Sequence, residues 1–157
     1  MKIETITARN LELILPLIEK YQVFYGVIPD IARNFTFFAE LARTPKEGIQ
    51  FIIFAQDNFR APVGFATLYF LRSSITAQSY CLLNDLYTES MVRGHGYGKA
   101  LILHCATFAR ERGYAGMEWQ TAVSNERAQR LYDSLPTQRS EWFTYQLSTG
   151  KSRGAQL

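Results

Sequence analysis

The 157 residues are 47% hydrophobic and 20% charged, the balance of a soluble globular chain with apolar mass for one sizeable core. A formal charge of +3 and a pI near 8.9 are only mildly basic. With no run of Lys and Arg forming a polybasic arm, this argues against nucleic-acid binding and suits an anionic small-molecule partner. No apolar stretch approaches the length of a membrane span and the N-terminus lacks a signal-peptide core, so the expected setting is cytoplasmic, away from membranes.

In chain order, residues 2–8 (KIETITA) alternate with period two and predict a first strand. Residues 10–26 carry apolar side chains at helical spacing, with Asn10 as a candidate N-cap, Pro16 as a bend or restart, and Gly26 at the close. A second helix is expected over 30–44, capped by Asp30 and stopped at Thr44-Pro45. Residues 49–56 and 62–73 read as strands joined by a hairpin loop, DNFRA, over 57–61, and residues 79–88 read as a further strand.

The segment 98–113 is strongly helical, with Leu101, Cys105 and Phe108 on one face and Gly113 as a C-cap. A strand over 116–123, a short helix over 125–135 capped by Asn125, and a last strand over 140–147 (SEWFTYQL) complete the pattern. The order predicts one mixed α/β domain over residues 1–148 followed by a small polar tail, 149–157. Cys81 and Cys105 sit in apolar segments and read as buried free thiols. His95 and His104 are too few to build a zinc site, so no metal is expected.

The chemistry concentrates in MVRGHGYGKAL, residues 91–101, where three glycines alternate between Arg93 and Lys99 at the start of a helix. Glycine lets backbone N–H groups approach a ligand closely, and a helix N-terminus attracts anions. The stretch therefore reads as a phosphate cradle. A Walker A loop needs Ser or Thr after its lysine to hold Mg²⁺, and Ala100 stands there. A dinucleotide-binding GxGxxG does not fit the spacing either.

Arg-Gly-x-Gly-x-Gly after a strand does fit. LNDLYTESMVRGHGYGKALI resembles motif A of the Gcn5-related N-acetyltransferases (GNAT), with Arg93, Gly96 and Gly98 at the defining positions. WQTAVSNERAQRLYDSL is similar to the family's motif B, and YQVFYG and GFATLYF resemble the branch near histone and polyamine acetyltransferases. The resemblance implies a mostly antiparallel central sheet, flanked by helices, whose fourth and fifth strands splay apart. It also implies acetyl-CoA as acetyl donor, a primary amine (polyamine, amino acid or peptide) as acceptor, and a homodimer.

By position, backbone amides of Arg93, Gly94, His95, Gly96, Tyr97, Gly98 and Lys99 would bind the pyrophosphate, and the main chains of Leu86, Tyr87 and Thr88 the pantetheine arm. The Leu86 N–H would polarise the thioester carbonyl, and Asn125 would contact the pantetheine. Tyr132 would be the general acid for the departing sulfur. It lies seven residues after Asn125, about two turns at ~3.6 residues per turn, so the two project from nearly the same face.

The base is open. Similar polyamine enzymes carry a glutamate where this chain has Asn84. Asp85, expected to point to the opposite face, and Glu89 or Glu118 are candidates acting through water. Phe24, Tyr25, Tyr69, Asn84, Trp119 and Trp142 are candidates near the acceptor, aromatic faces being suited to a cationic amine. After Tyr132, Pro136 stands where the family often has glycine. The alternative class is a coenzyme A-binding module without catalysis.

Overall fold

The computed structural model describes residues 1–56 and 58–149; for residues 58–60 it describes the backbone. Asp57 of the expected hairpin loop and the tail from residue 150 lie outside the described residues.

Five strands form one sheet in the order β1-β2-β3-β4-β5: β1 Lys2–Thr5, β2 Gly48–Ala55, β3 Asn58–Ser73, β4 Gln78–Thr88 and β5 Met117–Glu118. The first four pair antiparallel, whereas β4 and β5 run parallel. Four α-helices accompany them: α1 Leu15–Phe24, α2 Ile31–Arg43, α3 Tyr97–Glu111 and α4 Glu126–Asp133.

Local chemistry explains most of these boundaries. Pro16 sits in the first turn of α1, where its missing N–H costs nothing, so a short 3-10 turn (Leu11–Leu13) precedes it and the helix restarts. Asn10 caps nothing there; its Oδ1 instead accepts from the Thr7 N–H at 2.7 Å. Asp30 caps α2 by accepting from the Arg33 N–H at 3.0 Å, and Asn125 caps α4 by accepting from the Ala128 N–H at 3.2 Å. The second hairpin strand starts earlier than expected, at Asn58, so the connection is tighter than a five-residue loop.

The sheet separates two apolar layers. On one face, Phe51, Ile53, Leu68 and Leu83 pack with Leu101, Ile102 and Cys105 of α3. On the other, Ile52, Phe54 and Phe65 pack with Leu17 and Ile18 of α1 and Phe38 and Leu41 of α2. Cys81 and Cys105 are buried free thiols, and burial pushes their pKa values up to about 11 and about 12, which makes them inert at neutral pH.

Two features shape the edge of this sheet. Between Thr67 and Leu68 the register with β4 slips: Thr67 faces Asp85 but Leu68 faces Leu83, leaving Asn84 as a bulge. Further, β5 pairs with β4 only at Cys81–Met117 and Leu82–Glu118, so among the described residues β4 has no ladder partner on that side beyond Leu82.

The expected last strand over 140–147 is not a strand. Those residues form no regular secondary structure, with Trp142, Phe143, Tyr145 and Leu147 each nearly fully exposed. The alternating pattern is present, but the two-residue β5 offers no edge long enough to pair with it, and an unpaired strand does not hold its shape. The strand expected over 116–123 is shortened to Met117–Glu118, the two residues that pair with β4.

Candidate active site

A cleft of ≈ 410 Å³ opens where β4 and β5 part, bounded by α1, β4, the loop into α3, and α4. Its floor is β4, supplied by Leu83, Asn84 and Leu86–Thr88. Its far wall is Trp119 after β5 with Ala128, Leu131 and Tyr132 on α4.

At one end lies the glycine-rich loop. Gly94 and Gly96 adopt φ +90° and +85°, conformations that L side chains rarely occupy. Gly96 is the N-cap of α3 and has no side chain with which to satisfy the helix's first N–H groups. Gly98 faces α4: a Cβ there would stand 3.2 Å from Leu131 Cδ2. Lys99 and Arg127 add positive charge beside this turn. An uncapped helix N-terminus, two cations and a close-packed glycine fit a pyrophosphate, and the unpaired backbone of β4 fits an extended arm leading from it.

Arg93 plays a second part. Its Nε donates to the Thr88 carbonyl at 2.9 Å, and its guanidinium lies 5.8 Å from the Phe24 ring centroid and 5.7 Å from that of Tyr87. The side chain thus ties the loop to β4 and α1. His95, also assigned to the loop, is exposed and does not line the cleft.

Asn125 and Tyr132 both line the cleft from α4, on one face as their spacing requires. The Tyr132 ring meets Trp119 edge-on at 5.4 Å. Burial raises the Tyr132 pKa, with Tyr25 opposite adding to the shift, so the phenol stays protonated at neutral pH.

The candidate carboxylates divide. Glu89 forms an ion pair with Lys20 and accepts from the Tyr87 hydroxyl at 3.4 Å, so its charge is already matched. Glu118 is exposed and lies beside the Tyr80 hydroxyl, outside the cleft. Asp85 does point away from Asn84, but the consequence differs from simple alternation. The bulge puts Leu83 on the α3 face and Asp85 on the α1 face, beneath the cleft and in line with Thr67 and Gln50.

Among the acceptor candidates, Phe24, Tyr25, Asn84 and Trp119 line the cleft. Tyr69 does not; it packs under α1, close enough to Asp85 for that carboxylate to raise its pKa after burial has done so. Trp142 is exposed and outside.

Tyr21 of α1 lines the cleft and was not singled out from sequence. Helical spacing marks it as a core residue, and its ring does pack on Phe65 and Tyr87 at 5.6 and 6.0 Å. The same residue also forms part of the cleft wall. Arg127, another omission, was readable as the basic residue two positions after a helix cap.

A cleft between parting parallel strands, ending at a helix N-terminus, has the features of an acyl-transfer enzyme. Comparison with known proteins agrees. The model of the acetyltransferase (GNAT) family matches residues 15–135, and the chain belongs to that family of acyl-CoA-dependent N-acetyltransferases. It is 30% identical over 90 residues to a thialysine N-epsilon-acetyltransferase of Caenorhabditis elegans, a match covering 55% of this chain and 56% of that one. The chain thus spans little more than half of that relative.

It is also 28% identical over 120 residues to an uncharacterized N-acetyltransferase, YhfO, of Bacillus subtilis, covering 76% and 78% of the two chains. A crystal structure of a probable acetyltransferase superposes with a TM-score of 0.85 at 30% identity, covering 96% of this chain and 99% of the other. Among the described residues no group of His, Cys, Asp and Glu could hold a metal ion, and no helix is long and apolar enough to cross a membrane.

Proposed function

We propose that the protein transfers the acetyl group of acetyl-CoA to a small primary amine by direct attack within the cleft. The observation that carries this reading is the meeting of three groups in one cavity: the uncapped start of α3, the unpaired edge of β4, and the half-buried Tyr132.

The bound donor supplies an activated thioester. The chain's own groups do the rest. The first turn of α3 with Lys99 and Arg127 holds the pyrophosphate, and Leu86–Thr88 hold the arm by main chain. The Leu86 N–H supports the negative charge that grows on the carbonyl oxygen. Tyr132, held as a neutral phenol, gives its proton to the departing sulfur.

The acceptor enters from the α1 side, against the aromatic faces of Phe24 and Tyr25 with Trp119 across the cleft. A lysine-like or polyamine amine suits such a wall, and the thialysine activity named for the nematode relative is of that class. We further propose a single catalytic domain over residues 1–148 that acts in the cytoplasm as a homodimer, with light scattering at several concentrations as the test of the assembly.

A thiol-release assay with acetyl-CoA and a panel of amines (spermidine, putrescine, free amino acids, aminoglycosides, a histone-tail peptide) tests the main reading. Turnover with one class names the acceptor. Tight acetyl-CoA binding without turnover across the panel would favour a non-catalytic coenzyme A-binding module.

A further inference from the structure

The acceptor amine arrives largely as an ammonium ion, since alkyl amines have pKa values near 10. It must shed a proton before it can attack. Two of the candidate carboxylates are unsuited: Glu89 is paired with Lys20, and Glu118 does not line the cleft. Asn84, which does face the cleft, accepts no proton usefully.

The bulge at Asn84 turns the next residue, Asp85, under α1. There the carboxylate is partly buried in a row of polar groups set into the apolar layer. Gln50 Nε2 donates to Thr67 Oγ1 at 3.0 Å, which commits that oxygen as an acceptor and leaves the Thr67 hydroxyl free to donate to Asp85. Asn84 Nδ2 donates to Asp85 Oδ1 at 3.1 Å. Tyr21 completes the surround: Asp85 and Tyr25 both sit close enough to its hydroxyl to raise its pKa beyond what burial does. The Tyr21 and Tyr25 rings meet edge-on at 4.9 Å, and both tyrosines line the cleft while Asp85 does not. Tyr25 in turn faces Tyr132.

We propose, resting on the acetyl-transfer reading, that Tyr25 and Tyr21 form a hydroxyl relay that carries the acceptor's proton from the cleft to Asp85. The ammonium passes a proton to the Tyr25 oxygen as Tyr25 passes its own to Tyr21, and Tyr21 passes its own to the carboxylate. The products are a neutral amine, two neutral phenols and a protonated Asp85. The amine then attacks the carbonyl carbon as the C–S bond breaks. Its second proton replaces the one that Tyr132 gives to sulfur. Asp85 later returns its proton to solvent by the same path, so each turnover releases one net proton.

The groups facing Asp85 suit this role. They are Tyr21 from α1, Thr67 and Tyr69 from β3 and Asn84 from its own strand, and none carries positive charge. Burial raises the carboxyl pKa, while hydrogen bonds from Thr67, Asn84 and Tyr21 pull it back. An acceptor held above the ordinary carboxylate range takes a proton from an amine more readily than an exposed aspartate does. Asp85 touches no substrate; it acts through the tyrosines.

Tyr21→Phe, which keeps the ring packing, and Asp85→Asn test the relay on the whole protein, with acetyl-CoA affinity by calorimetry and kcat against pH for the best amine found. The expectation is a fall in kcat of ~100-fold or more for both variants, with acetyl-CoA affinity unchanged. Wild-type kcat should fall as pH drops through the raised Asp85 pKa. Asp85→Asn should lose that acidic limb and climb steadily with pH as bulk water takes the proton. Wild-type kcat and an unchanged limb in either variant would overturn the proposal.

If the wild type binds acetyl-CoA but no panel amine reacts, carbon-13 titration of the Asp85 carboxyl decides. Tyr21→Phe removes a hydrogen bond and should move it upward; an unmoved titration refutes the coupling. Failure of the wild type to bind acetyl-CoA would instead overturn the acetyl-transfer reading itself.

Discussion

The sheet's first four strands with α3, and the region from β5 through α4 to residue 149, solve the same problem in opposite ways. In the first, long antiparallel ladders and a buried seam of Leu101, Ile102 and Cys105 fix the backbone so firmly that the loop glycines can be held at positive φ. In the second, two ladder pairs and an eight-residue helix carry a single chemically important phenol, with an exposed coil beyond it. Binding by main chain needs a rigid frame, whereas proton donation needs one side chain facing the cleft. In the proposed mechanism the first region carries most of the main-chain grip on the donor, and the second carries the phenol that protonates the departing sulfur.

Four substitutions can break or sharpen that division. Tyr132→Phe retains the ring against Trp119 and removes the proton, so kcat should fall ~10²- to 10⁴-fold with nearly normal acetyl-CoA affinity by calorimetry. Unchanged turnover would take the acid role from the second region. Gly96→Val should do the reverse. A β-branched residue at φ +85° costs roughly 1–3 kcal/mol of strain and crowds the cradle, so acetyl-CoA affinity should drop ~10- to 100-fold.

The remaining two concern stability, read by urea unfolding. Leu101→Ala opens a cavity in the fully buried seam and should cost about 2–5 kcal/mol. Trp142→Ala, at a residue 90% exposed, should change stability by less than about 0.5 kcal/mol. A large loss there in dilute monomer would mean that the coil contributes to the fold after all.

What the sequence disclosed follows the same line. Local chemistry was readable at most places where one residue decides the backbone: Pro16 restarting a helix, Asp30 and Asn125 capping theirs, and the glycines before α3, with Asn10 the exception. Parity was harder. Alternation places Asp85 opposite Asn84, yet a bulge adds one residue, so Asp85 also parts from Leu83 and settles under α1. No residue type announces that insertion; it exists only in the pairing with β3. Tyr21 was hidden for a different reason: its ring obeys the core pattern, yet the residue also lines the cleft. The alternation in 140–147 was read correctly as a pattern and wrongly as a strand, because pairing depends on an edge that distant residues fail to provide.

The early end of the β4–β5 ladder also sorts the atoms of β4 by duty. Along Leu86–Thr88 the peptide groups serve whatever lies in the cleft, while the side chains serve the layers on either face, Leu86 towards α3 and Tyr87 towards α1. A segment arranged this way can exchange one side chain for another of similar bulk without altering what its peptide groups present. In the proposed mechanism, specificity for the acceptor can therefore drift at α1 and Trp119 while the grip on the donor stays the same.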